Sequence, residues 1–139
     1  MSLLLPMASL VLLTFVVMFL MLYSRISSVK NGTVKPGYFK LYNNKSDKEI
    51  PEHIIQIGKN FSNLMEMPLV FYISCLVYMQ LNQVDQFVII LAWIYVSLRI
   101  LHTIIHLTSN HVIARMLSFA ASCMVLGIMW VNIIGKNFL

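Results

Sequence analysis

Between Leu3 and Tyr23 the chain carries no charged side chain, and its only interruptions are Pro6, Ser9 and Thr14. A run of that length can cross the roughly 30 Å hydrocarbon core of a bilayer as a helix, which satisfies its own backbone hydrogen bonds. Three further apolar runs follow, at about 54–79, 87–106 and 112–134. Four spans and one modest loop, about 24–50, therefore account for all 139 residues, and no separate soluble domain fits. The expected fold is an all-α integral membrane protein, an antiparallel four-helix transmembrane bundle forming one domain over 1–139. The first run is expected to stay as a span. Met1 and Ser2 give no basic n-region, and Tyr23-Ser24-Arg25-Ile26 offers no small-residue cleavage pattern. Composition agrees, with 59% apolar and 11% charged residues, against about 45–50% and about 25% in soluble domains.

Ten Lys and Arg stand against five Asp and Glu. The placement of the basic residues argues against a nucleic-acid groove: Arg25, Lys30, Lys35, Lys40, Lys45, Lys48 and Lys59 fall in one polar stretch between the first two apolar runs, without the interleaved aromatic and base-reading pattern of such a groove, and a membrane-side loop explains them better. Asn31-Gly32, Pro36-Gly37 and Asn43-Asn44 mark that stretch as a loop, up to Pro51, where a helix start is expected. Arg99 and Arg115 flank the third connector, whereas the second has no basic residue. By the excess of positive charge in cytoplasmic loops, the first and third loops face the cytoplasm and both termini face away. Compact size points to a bacterial inner membrane rather than a eukaryotic endomembrane. Cys75 and Cys123 lie inside apolar runs and read as small packing residues rather than a disulfide.

An ionisable side chain inside a span costs at least about 2.5–3.5 kcal/mol, so the few present are informative. Lys59, Asn63 and Glu66 follow i, i+4, i+7 spacing and share one face of the second span. Arg99, His102 and His106 form a similar stripe on the third, and Arg115 opens the fourth. All lie toward the same end of the bundle. A purely structural reading pairs Glu66 with Arg99 as a buried ion pair and lets Lys59 and Arg115 snorkel to the headgroups. His102 and His106 have the i, i+4 spacing of helical metal ligands, yet no Glu follows His102. A third ligand would have to come from Glu66 or His111, so no metal is expected. Neither cysteine has a neighbouring His or Arg to activate it.

Asn63-Leu-Met-Glu66 followed by Pro68, then Arg99-Ile-Leu-His102, then Arg115, within four spans of this total length, resembles the MAPEG family, the membrane-associated proteins in eicosanoid and glutathione metabolism. The resemblance covers the whole chain in span order and polarity. It implies a homotrimer binding glutathione between neighbouring subunits near the cytoplasmic side, and a transferase or peroxidase acting on lipophilic electrophiles. Carried over residue by residue, it makes Arg115 the catalytic stabiliser of the thiolate. Lys30 from a neighbouring subunit, Asn63, Glu66, His102 and His106 join Arg115 around glutathione. Ser62 stands where the family's transferases commonly carry arginine, His106 and Phe119 where they carry tyrosines, and Met116 where a hydroxyl stands beside the arginine. Those departures favour the rival reading, a non-catalytic lipid- or small-ligand-binding protein of the same fold, like the family's lipoxygenase-activating member. A small exporter would carry a carboxylate in its first span, and residues 3–23 contain none.

Overall fold

The computed structural model describes residues 2–41 and 50–138. Its helices are α1 (Leu4–Lys30), α2 (Pro36–Leu41), α3 (Glu52–Gln80), α4 (Gln86–Leu107) and α5 (Val112–Phe138). Four of them, α1, α3, α4 and α5, are long and apolar enough to cross a membrane. At 1.5 Å per residue the 27 residues of α1 span about 40 Å, more than the roughly 30 Å hydrocarbon layer, so its polar tail extends past the acyl region.

That tail corrects the expectation of a loop from Ser24 onward. Nothing between Ser24 and Lys30 breaks a helix, and α1 continues until Gly32 takes a left-handed φ of 65°. There the Gly32 N–H donates to Val29 O at 3.1 Å and the Thr33 N–H to Ser28 O at 3.0 Å, the paired bonds of a Schellman stop. The short α2 then occupies part of the segment read as loop. The side chain of Lys40, and all of Lys45 and Lys48, lie outside the described residues. The other turns are as tight. Asn82, at φ 54°, ends α3 with the same bond pattern, and Asn110, at φ 48°, leads into α5. The α3 helix passes unbroken through the buried Pro68.

Packing is antiparallel between neighbours, with α1 lying chiefly on α3 and α5 on α4, while α4 also touches α1 and α3. Leu3, which precedes α1, and Leu10 and Val17 within it recur every second turn and share one buried core with Leu64, Phe71 and Tyr78 of α3. From the other side come Val88, Ala92 and Val96 of α4 and Leu126, Met129 and Ile133 of α5. Tyr95 stacks on Phe71, ring centroids 4.5 Å apart. Large apolar side chains such as Leu12, Phe19, Leu69, Met124 and Val131 point outward, as they do where the surroundings are lipid rather than water. α4 is therefore the central helix, and polar groups on it have the least access to solvent.

The two ends of the bundle differ. At the far end, where α3 meets α4 and α5 finishes, the polar groups pair. Tyr78 donates its hydroxyl to Met129 O at 2.8 Å, with Asn132 Oδ1 at 3.0 Å. Gln83 and Asn137 exchange amide hydrogen bonds of 2.9 and 3.2 Å. Asp85 caps α4 by accepting from the Val88 N–H at 2.9 Å, and its other oxygen accepts from Lys136 at 2.7 Å. The Lys136 ammonium and then the Val88 amide hold the Asp85 carboxyl below the usual carboxylate range. A carboxyl depressed in the folded state stabilises it fully above the unfolded value, about 3.9, and loses that contribution as pH falls through the folded value. Asp85→Ala should lower stability by about 1 kcal/mol, mostly through the lost cap, because the half-exposed ion pair is screened. Thermal unfolding of the detergent-solubilised protein checks both: the wild type should lose stability below about pH 4, and Asp85→Asn should remove that acid-dependent part.

Candidate functional site

At the basic end, where α1 and α4 finish and α3 and α5 begin, the polar side chains divide between an interior seam and an outward recess. The seam is centred on Arg99, whose side chain is fully buried on α4. It does not meet Glu66, as the ion-pair reading expected. Its Nη2 donates to the Asn63 backbone carbonyl at 3.0 Å and also to Asn63 Oδ1, while its Cζ lies 5.7 Å from the Phe119 ring centroid. Asn63 is reached because α3 crosses α4 there with its polar stripe turned partly inward, whereas Glu66, nearly one turn further along, stays exposed. Arg99 Nε and Nη1 have no partner among the described residues.

His102 and His106 are buried one and two turns beyond Arg99, with ring centroids 5.8 Å apart. His102 Nδ1 stands 3.0 Å from the Arg115 carbonyl and 3.3 Å from Ser118 Oγ, so the Nδ1-protonated tautomer donates to that carbonyl and fixes α4 to the first turns of α5. His102 Nε2 and His106 Nδ1 are buried and find no hydrogen-bond partner among the described residues. Among the described residues no group of three or more His, Cys, Asp or Glu could hold a metal ion. The half-buried Arg115 donates to Asn110 Oδ1 at 2.6 Å. His111 caps α5, accepting the Ala114 N–H on Nδ1 at 3.3 Å.

The recess lies on the opposite side, between α1, α2 and α3. Its volume is about 550 Å³, and Arg25, Tyr38, Lys59, Ser62, Asn63 and Glu66 are among its walls. Lys59, Asn63 and Glu66 thus share a face as their spacing predicts, and neither Lys59 nor Glu66 has an ion-pair partner among the described residues. Lys30 is exposed at the end of α1, outside the recess walls. One chain therefore brings Asn63, His102, His106 and Arg115 into or beside the seam, and it leaves Glu66 and Lys30 on another face. Sequence reasoning missed Asn60, Thr103 and Ser118. Asn60 Oδ1 accepts from Thr103 Oγ1 at 3.4 Å, and Ser118 Oγ donates to Arg115 O at 3.0 Å. The signal was present in their spacing: Asn60 is three residues before Asn63, and Thr103 four after Arg99. Both continue stripes already marked by polar residues.

A membrane-spanning bundle with a buried arginine and two buried histidines toward one end defines the class: an integral multi-pass membrane protein with a candidate polar site at that end of its helices. The MAPEG family profile matches residues 3–135, and the chain belongs to that family. No curated protein and no solved structure matches it at a significant level.

Asn63→Leu removes the side-chain acceptor of a buried cation and keeps the backbone carbonyl, so it should cost roughly 1.5–3 kcal/mol, the range for a hydrogen bond to a charged group. Arg99→Met added to Asn63→Leu should recover most of that loss, since the apolar pair fills the same space without an ion. Unfolding midpoints of the three variants in detergent measure the coupling, and additive losses would contradict it.

Proposed function

We propose that the protein is a glutathione-dependent transferase or peroxidase for lipophilic electrophiles, working as a homotrimer with glutathione held between neighbouring subunits at the basic, cytoplasmic end. The observation that carries this reading is the separation of opposite charges. Glu66 lies on the α1–α3 side, Arg115 on the α4–α5 side, and neither has an ion-pair partner within its own chain among the described residues. A second copy laid against the first brings the two faces together around one ligand. A small peptide with two carboxylates, one ammonium and a thiol has the matching charges, and the donor set therefore fits.

When bound, glutathione supplies a thiol whose anion is the nucleophile. Arg115 favours that anion. Its guanidinium is anchored by Asn110 at the start of α5, where the helix dipole adds to the attraction for negative charge. Glu66 accepts from the ammonium, and Lys30 of the adjoining subunit takes a carboxylate by a charge-assisted hydrogen bond. Asn63 is committed to Arg99, and His102 to the Arg115 carbonyl. Both act as positioning residues, holding the recess wall and the arginine in place. The buried His106 supports the same stripe.

Calorimetry on the purified protein tests the reading. Glutathione should bind, and Arg115→Ala and Glu66→Ala should each weaken it by roughly 10- to 100-fold, as losing one charge-assisted bond of about 1.5–3 kcal/mol does. No heat at millimolar glutathione would overturn it in favour of the non-catalytic ligand-binding protein, which Ser62, Met116 and Phe119 favour by withholding a guanidinium and hydroxyls. Chemical cross-linking should give trimers, and a ladder stopping at dimers would contradict the assembly.

A further inference from the structure

Beyond Lys30 the chain turns on Asn31-Gly32, an asparagine followed by the one residue type that has no side chain. That turn does more than stop a helix. The Asn31 N–H donates to Ser27 O at 2.9 Å and the Gly32 N–H to Val29 O at 3.1 Å, while the Thr33 and Val34 N–H groups both reach Ser28 O, at 3.0 and 3.2 Å. Val34 is buried, and α2 begins shortly after it at Pro36. These bonds therefore set where α2 leaves α1, and with it Tyr38 and Phe39, which wall the recess. Asn31, Gly32 and Thr33 are all exposed, and a Cβ placed on Gly32 would meet nothing within 4 Å, so the turn stands open to water. No other asparagine of the chain precedes a glycine. Asn82 and Asn110, which also occupy turns, are followed by Gln83 and His111.

We propose that Asn31-Gly32 is a self-modification site, at which the chain converts Asn31 to isoaspartate and thereby releases α2 from α1. The chemistry needs only water. The Gly32 nitrogen attacks Asn31 Cγ, a bond forms between them, and the Cγ–Nδ2 bond breaks, so that Nδ2 leaves as ammonia with the proton given up by Gly32. Water then opens the five-membered imide: cleavage at the Asn31 backbone carbonyl leaves the chain running through Cγ, which is isoaspartate, and cleavage at Cγ leaves aspartate. In the closed turn the Gly32 N–H is held by Val29 O, so the attack proceeds when the last turn of α1 frays, as helix ends do. Isoaspartate inserts one extra carbon into the backbone between residues 31 and 32, and the Gly32, Thr33 and Val34 bonds then no longer close together. The new carboxylate also faces the negative end of the α1 dipole. Both effects open the stop, and α2 loses its fixed place on the recess. The inference is independent of what the recess binds.

Peptide mass spectrometry of the detergent-purified protein, aged in mildly alkaline buffer, tests it. Asn31 should convert at least about tenfold faster than the exposed Asn82, a barrier difference of about 1.4 kcal/mol. Isoaspartate should be present among the products, because imide opening gives both acids and direct amide hydrolysis gives aspartate alone. Asn31→Gln cannot close a five-membered ring, so it should stay unconverted over the same period with an unchanged unfolding midpoint. In the converted chains hydrogen exchange of the Val34 amide should speed up by about tenfold, and in Asn31→Gln it should not. Conversion of Asn31 no faster than that of Asn82 would overturn the proposal, as would aspartate as the sole product or unchanged exchange at Val34 in converted chains. Failure of glutathione to bind in calorimetry would leave these results unaffected.

Discussion

A fully buried guanidinium in the middle of a membrane-spanning bundle is the constraint around which this molecule is arranged. Arginine does not lose its charge at any accessible pH, and removing it from water costs several kcal/mol that only well-placed acceptors offset. The acceptors here are uncharged: the carbonyl and side-chain oxygen of Asn63, helped by the face of the Phe119 ring. That choice fixes the crossing of α3 on α4, because both oxygens belong to one residue and must reach one nitrogen. It also sets the rotation of α5, which must present Phe119 to Arg99 while its first turn offers the Arg115 carbonyl to His102. Three of the four spans are thus registered through one stripe of α4.

The use of Asn63 rather than Glu66 has a consequence for charge. A Glu66–Arg99 pair would have neutralised both groups within one chain. Instead Arg99 keeps its charge in the interior and Glu66 keeps its own on the surface of the α1–α3 side, with Arg115 on the α4–α5 side. In a bilayer such unpaired charges are expensive, and they persist where something outside the chain completes them. The proposed assembly and ligand supply that completion at the basic end.

Much of the fold was legible because hydrophobic runs of spanning length admit few alternatives: Leu3–Tyr23, Phe87–Leu98 and the run after Val112 could hardly be anything but helices. The polar stripes were legible from the periods of three and four that placed Lys59, Asn63 and Glu66 together, and Arg99, His102 and His106 together. The end of α1 was not, since Ser24–Lys30 is polar without being helix-breaking, and polarity was read as a loop when only Gly32 stops the helix. Partner choice in the seam was also hidden. Periodicity gives the face of a helix, but whether Asn63 or Glu66 turns toward Arg99 depends on how α3 is rotated and tilted, which tertiary packing decides. Asn60, Thr103 and Ser118 were overlooked because an uncharged polar residue in an apolar span carries a weak signal until its neighbour across the interface is known.

The contrast between the two ends separates a clamped end from the one that carries the candidate site. At the far end three polar pairs join the helices: Tyr78 with Asn132, Gln83 with Asn137, Asp85 with Lys136. Such a satisfied network holds one arrangement of α3, α4 and α5. At the basic end Arg99, His102, His106 and Asn60 each retain a buried atom without a partner among the described residues, and a chain selected for stability alone would replace those residues by apolar ones of similar size, usually at little cost or with a gain. Polar groups retained in that state inside a membrane-spanning bundle make the basic end the candidate site. The far end clamps the helices so that the basic end can keep its polar groups oriented while leaving them incomplete.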